Sequence, residues 1–172
     1  EVFNRFMPPR IDGFFDGFNV NICAYGQTGS GKTHTMFGPP GCMDRAASGM
    51  YGISVAPEYG LFPRGMIAIY NTLKLMRAAN PMKTYAMSAA AVELSIAGNE
   101  DMFHKSGNGD QVNMGDVQKY GSMVNGIALD KAQKPPALFG HTERLLETDA
   151  DLLSVFRALA SRNTAGTQMN DS

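Results

Sequence analysis

The chain has 172 residues, the length of one domain or part of one. Its 15 Lys and Arg against 16 Asp and Glu give a net charge of −1, so no global field attracts nucleic acid or an anionic membrane. A hydrophobic content of 44% argues against disorder, and no apolar run approaches the roughly 18 residues of a membrane span.

Over residues 2–16, Phe3, Phe6, Met7, Ile11, Phe14 and Phe15 recur at near-helical spacing. Pro8-Pro9 breaks or kinks that pattern, so the helix is expected to begin near Pro9 and to end at Gly17. Val20–Tyr25 follows. It is short, largely apolar and partly β-branched, as a buried parallel strand should be. Cys23 within it is expected to be a small buried hydrophobe.

Residues 26–33 read Gly-Gln-Thr-Gly-Ser-Gly-Lys-Thr, a complete G-x-x-x-x-G-K-[ST] phosphate-binding loop. Gly26, Gly29 and Gly31 let the backbone turn tightly and bring N–H groups up to phosphate oxygens. Lys32 supplies a point charge for the β- and γ-phosphates, and the Thr33 hydroxyl is placed to ligate Mg²⁺. Lys32–Phe37 then gives one or two helical turns before Gly38-Pro39-Pro40-Gly41 stops them. The order strand, loop, helix is the context the motif requires.

Residues 38–60 scatter Gly and Pro with little periodicity and are expected to form a long loop that includes Cys42. Pro63 suits a helix start, and Met66, Ile67, Ile69, Tyr70, Leu73 and Met76 give that helix an apolar face before Asn80-Pro81. Residues 83–97 suit a strand carrying Glu93. Residues 106–126, rich in Gly, Asn, Asp and Ser, read as a polar insertion, and Asp110 and Asp116 fit no calcium loop. Leu152, Leu153, Phe156 and Leu159 form a helical stripe after a cap at Thr148-Asp149. His104 and His141 have no metal-ligand spacing. Two thiols, Cys23 and Cys42, suit a reducing compartment.

The segment from Gly17 to Met36, with Ala24-Tyr25-Gly26-Gln27-Thr28 before the loop and His34-Thr35-Met36 after it, resembles the nucleotide-binding segment of the kinesin motor domain. Further similarities follow in the kinesin order. They are Tyr59-Gly60-Leu61-Phe62-Pro63-Arg64, Ala90–Leu94 with Gly98–Phe103, and Gly140-His141-Thr142-Glu143-Arg144, which resembles a tubulin-touching loop. Last comes Arg162–Ser172, which resembles the run leading into the first nucleotide switch.

The resemblance implies an α/β fold of the P-loop NTPase type, a kinesin motor with a central, mostly β-sheet flanked by helices. It implies that residues 1–172 are a partial motor domain. The family's Ser-Ser-Arg-Ser-His, its Asp-x-x-Gly and its adenine-side Arg-x-Arg-Pro do not occur in this sequence. ATP and Mg²⁺ are the implied cofactors, held by Gly26, Gln27, Thr28, Gly29, Ser30, Gly31, Lys32, Thr33 and His34. Thr33 is the implied Mg²⁺ ligand, and the His34 ring would pack near the adenine. The implied partner is the microtubule, touched through Arg144, in the cytoplasm and cytoskeleton. Self-association would use regions outside this chain.

No catalytic base or water-positioning group is identifiable in this stretch. Turnover is therefore expected of the whole protein and not of these residues alone. Two functions follow from the resemblance: a microtubule motor ATPase, or a structural microtubule-associated protein on the same fold with weak or no ATPase activity.

Overall fold

A computed structural model describes residues 2–95, 98–103 and 142–162. The chain divides into two compact units, one of Glu1–Met87 with Glu147–Ser172, the other of Ser88–Leu146. The expected polar insertion at 106–126 lies outside the described residues, as do Asp110, Asp116, His104, His141 and the run 163–172.

The first unit is helical. Among its described residues the elements are α1 (Val2–Phe6), α2 (Pro8–Phe15), α3 (Lys32–Phe37), α4 (Cys42–Ser48), α5 (Leu61–Ala79) and α6 (Asp149–Arg162). The helix expected to begin near Pro9 is preceded by a short one, α1, and the pattern breaks at Pro8 and Pro9. They open α2 at its first positions, where the missing N–H costs nothing. Met7, at the joint between α1 and α2, is buried, and a Cβ on Gly65 of α5 would lie 2.9 Å from its Cε.

The α5 helix begins two residues before Pro63 and ends at Ala79 with Asn80 as its cap, burying Pro63, Gly65, Ile67, Tyr70 and Leu73. In α6 the buried residues are Leu152, Val155, Phe156, Leu159 and Ala160, a stripe at helical spacing. Leu153 sits at its margin, close enough that a Cβ on Gly49 would meet its Cδ1 at 3.1 Å. Opposite lies α4, whose Cys42, Met43, Ala46 and Ala47 are all buried. Aromatic rings tie the helices together: Phe37 of α3 to Phe62 of α5 at 5.6 Å, and Phe62 to Phe156 of α6 at 6.2 Å.

Two expectations change here. The stretch 38–60 is not loop throughout, because α4 occupies Cys42–Ser48. Glycines bracket it in left-handed conformations, Gly41 at φ 74° and Gly49 at φ 68°, so the composition that reads as loop marks helix ends instead. Val20–Tyr25 is not a strand. It has no regular structure, Cys23 is exposed rather than buried, and Tyr25 is 99% exposed. A strand exists only through its ladder, and among the described residues none pairs with this segment.

Among its described residues the second unit holds two antiparallel pairs. Strand β2 (Val92–Ser95) pairs with β3 (Gly98–Asp101), Val92 opposite Asp101 and Ser95 opposite Gly98. Strand β1 (Ser88–Ala89) pairs with β4 (Arg144–Leu145), Ser88 opposite Leu145. The strand expected over 83–97 is thus two short ones, the second carrying Glu93. Asp101 is buried, and its carboxylate accepts from Phe103 N at 2.9 Å and Thr142 N at 2.6 Å. These charge-assisted bonds answer the cost of burying it.

Candidate functional site

The phosphate-loop motif forms a compact turn in the first unit. Gly26, Gly29 and Gly31 all take positive φ, at 159°, 79° and 84°. The last two lie in the region side chains avoid, and a Cβ on Gly26 would run into Ser30 Oγ. Ser30 N donates to Gln27 O at 3.2 Å and closes the turn. Gly31 caps α3, receiving Thr35 N at 2.9 Å.

Lys32 is folded over the loop it follows. Its Nζ donates to Gly26 O at 2.9 Å and to Gln27 O at 2.6 Å. An ammonium has three donors; two are spent on the loop, which holds the charge at the loop's mouth. Thr33 is the second residue of α3 and is exposed, in the helix's first turn.

Among the described residues no group of three or more His, Cys, Asp or Glu could hold a metal ion. A protein cage is not what Mg²⁺ at a phosphate loop needs. It keeps waters and takes one or two protein oxygens beside phosphate oxygens. A single accessible hydroxyl next to a lysine fits that donor set, and Thr33 supplies it.

His34 is exposed on α3 and opens onto a cleft of about 350 Å³ that also touches Phe3, Pro39, Glu58, Tyr59 and Arg64. The phosphate loop itself does not line this cleft. His34 and Thr35, which follow it directly, do. Arg64 lies over the Phe3 ring at 4.3 Å and donates from Nη2 to Asn4 Oδ1 at 3.2 Å. Among the described residues its buried Nε has no hydrogen-bond partner.

Burial pushes the Tyr59 hydroxyl and the Cys42 thiol above their ordinary pKa values. The Cys42 thiol, 3.7 Å from Glu58 O, is a packed side chain and not a nucleophile. Of these cleft residues, the sequence pattern singles out His34. Arg64 and Tyr59 carry a resemblance but no chemistry that can be read in advance, and Glu58 carries no signal at all.

Arg144 belongs to the second unit. Its guanidinium lies 4.6 Å from the Phe103 ring centroid and donates from Nη2 to Phe103 O at 3.0 Å. The side chain is half-buried and engaged within its own unit.

The family model for the kinesin motor domain matches residues 1–172. The chain belongs to the kinesin motor domain family. Kinesin-like protein KIF21B of Mus musculus is 27% identical over 176 residues, covering 99% of this chain and 10% of that protein. Chromosome-associated kinesin KIF4 of Xenopus laevis is 28% identical over 171 residues, covering 99% and 12%. Kinesin-like protein KIN-12B of Oryza sativa subsp. japonica reaches 37% identity, over 83 residues that make 48% of this chain and 7% of that protein. This kinesin chain therefore spans about a tenth of the length of such relatives.

Among solved structures it is similar to the Drosophila kinesin family member NOD in complex with AMPPNP. The TM-score is 0.57 and the identity 21%, covering 95% of this chain and 43% of that one. The fold is that of the kinesin motor, a P-loop NTPase-type α/β fold. Among the described residues it shows as a helix-rich part with two small two-stranded sheets, and the match covers less than half of the neighbour's chain.

Proposed function

We propose that this kinesin chain is the ATP-binding part of a microtubule motor ATPase, with hydrolysis coupled to movement along or action on microtubules. One observation carries the reading: a glycine-formed loop over which Lys32 is already held by two carbonyls, with the Thr33 hydroxyl beside it. Gly26, Gln27, Thr28, Gly29, Ser30 and Gly31 offer backbone to phosphate oxygens, and Lys32 faces the β- and γ-phosphates. The Thr33 hydroxyl would hold Mg²⁺, which would supply neutralisation of the phosphate charge. His34 and its cleft take the adenine, the imidazole offering a stacking face and a hydrogen-bonding edge. The neighbour NOD, solved with AMPPNP, supports a nucleoside triphosphate as ligand.

The proposed partner is the microtubule, and the proposed setting is the cytoplasmic cytoskeleton. No helix among the described residues is long and apolar enough to cross a membrane. A filament contact at Arg144 would use the same guanidinium that packs on Phe103.

The test uses the full-length protein with ATP·Mg²⁺ and microtubules. Lys32→Ala is expected to abolish nucleotide binding and stimulated turnover while thermal unfolding stays unchanged. Normal turnover in a folded Lys32→Ala protein overturns the assignment. Nucleotide binding without stimulated turnover in the wild type supports the structural microtubule-associated protein instead.

A further inference from the structure

Helix α3 carries Lys32 and Thr33 at one end and buries no side chain along its length. What fixes it is the other end. Gly60, which caps α5, has φ −70° and ψ −178°, extended backbone that any residue adopts. Yet a Cβ at Gly60 would lie 2.5 Å from the carbonyl carbon and oxygen of Met36 and from Gly38 N. Glycine is therefore required at position 60 for close approach and not for conformation. Beside this contact, Phe37 rests on Phe62 at 5.6 Å, and Phe62 rests on the buried Phe156 of α6 at 6.2 Å. Gly38 is wedged as well: a Cβ there would lie 2.6 Å from Cys42 Sγ and 2.8 Å from Glu58 O.

From this we infer that Gly60 and Phe62 are positioning residues for the phosphate loop: α5 grips the far end of α3 and so sets where Lys32 and Thr33 stand against a nucleoside triphosphate. The inference rests on the ATP reading above. A helix of six residues spans about 9 Å, so a displacement at Phe37 lies less than two turns from Lys32. Restoring ordinary contact around a Cβ at Gly60 needs a shift of about 1 Å. Misplacement on that scale costs up to about a hundredfold in rate.

The full-length protein is tested by ATP·Mg²⁺ binding, with a fluorescent ATP analogue as probe, and by microtubule-stimulated turnover. Gly60→Ala should lower kcat/KM for ATP by about tenfold or more, with the KM and the analogue's Kd both raised. Phe62→Leu should shift both in the same direction by less, and Phe62→Tyr, which keeps the ring, should stay near wild type. A seam that merely stabilises the fold would lower the melting temperature and leave KM within about twofold in both Gly60→Ala and Phe62→Leu; that result overturns the inference. If Gly60→Ala does not fold, the KM of Phe62→Leu against Phe62→Tyr decides. Wild-type protein that binds no ATP analogue at all overturns the ATP reading and this inference with it, an outcome distinct from a wild type that binds alongside variants that bind equally well.

Discussion

The Tyr70 hydroxyl donates to Asp149 Oδ1 at 2.9 Å and so joins the middle of α5 to the first residue of α6. Lys74, one turn further along α5, reaches the same oxygen at 3.0 Å. The two donors differ in setting. Tyr70 is 1% exposed, whereas the Lys74–Asp149 ion pair is about half exposed on both sides. Exposed pairs contribute little, so the tyrosine is the stronger tie between the helices.

Tyr70→Phe should therefore lower unfolding stability by about 1.5–3 kcal/mol, the range for a hydrogen bond to a charged group. It should also change the alkaline behaviour. Burial first, then the bond to Asp149, push the Tyr70 hydroxyl from 10 up to about 12. The folded state thus holds this proton more tightly than the unfolded one. Its contribution is fully present below pH 10 and is lost as pH rises towards about 12. Denaturant unfolding across that window should show a falling arm in the wild type and a flatter one in Tyr70→Phe.

At the start of α6, Thr148 and Asp151 cap each other. Asp151 N donates to Thr148 Oγ1 at 3.3 Å, and Asp151 Oδ2 accepts from Thr148 N and Oγ1, both at 2.7 Å. Thr148→Ala should cost about 1 kcal/mol. The Thr148 hydroxyl, then backbone N–H groups, hold the Asp151 carboxyl below its usual range. A depressed carboxyl stabilises the fold above its ordinary pKa of 3.8, and that contribution is lost as pH falls through the lower folded value. Asp149 acts in the same direction, through Lys74 first and Tyr70 second. Acid unfolding followed by circular dichroism should be less steep in Thr148→Ala than in the wild type.

Arg144 separates packing from charge. Lysine in its place keeps a cation but loses the planar stack on Phe103 and the directed bond to Phe103 O. Arg144→Lys should loosen the turn at residues 101–103, measured as faster amide exchange at Phe103. In the full-length protein, co-sedimentation with microtubules should be retained by Arg144→Lys and weakened by Arg144→Glu. Equal affinity in both variants would remove Arg144 from the filament contact.

The two thiols should label very differently in the native protein. Cys23 is exposed and open to an alkylating reagent, whereas Cys42 is 1% exposed with a raised pKa. Mass spectrometry over a time course should find Cys23 modified first and Cys42 only as the fold opens. Equal rates would contradict the packing of α4 on α6.

What the sequence made legible was local. The phosphate loop is a continuous motif whose glycines state their own geometry, and α3, α5 and α6 follow from periodicity and terminal residues. The two prolines at 8 and 9 pointed within a residue to where α2 starts. What stayed hidden depends on distant partners. Composition at Val20–Tyr25 describes a strand that pairing alone can realise. Gly41 and Gly49 look like loop residues until α4 is seen between them. The grip of Arg144 on Phe103 spans 41 positions and leaves no periodic trace. Around the cleft, His34 could be named because it adjoins the motif, while Arg64 reached it through a fold contact with Phe3.

The exposed segment before the phosphate loop also governs how these residues behave in the test tube. Phe18, Val20 and Ile22 alternate with Asn19 and Asn21, and the three apolar side chains are 69%, 37% and 38% exposed. Alternation of this kind, β-branched at two positions and free of charge and proline, is a template for recruiting another chain. Produced as these residues alone, the protein is expected to self-associate as its concentration rises, through Phe18–Ile22. Expression yield and handling are then set by a stretch that takes no part in binding phosphate. Val20→Lys should raise solubility by placing a gatekeeper charge in that run.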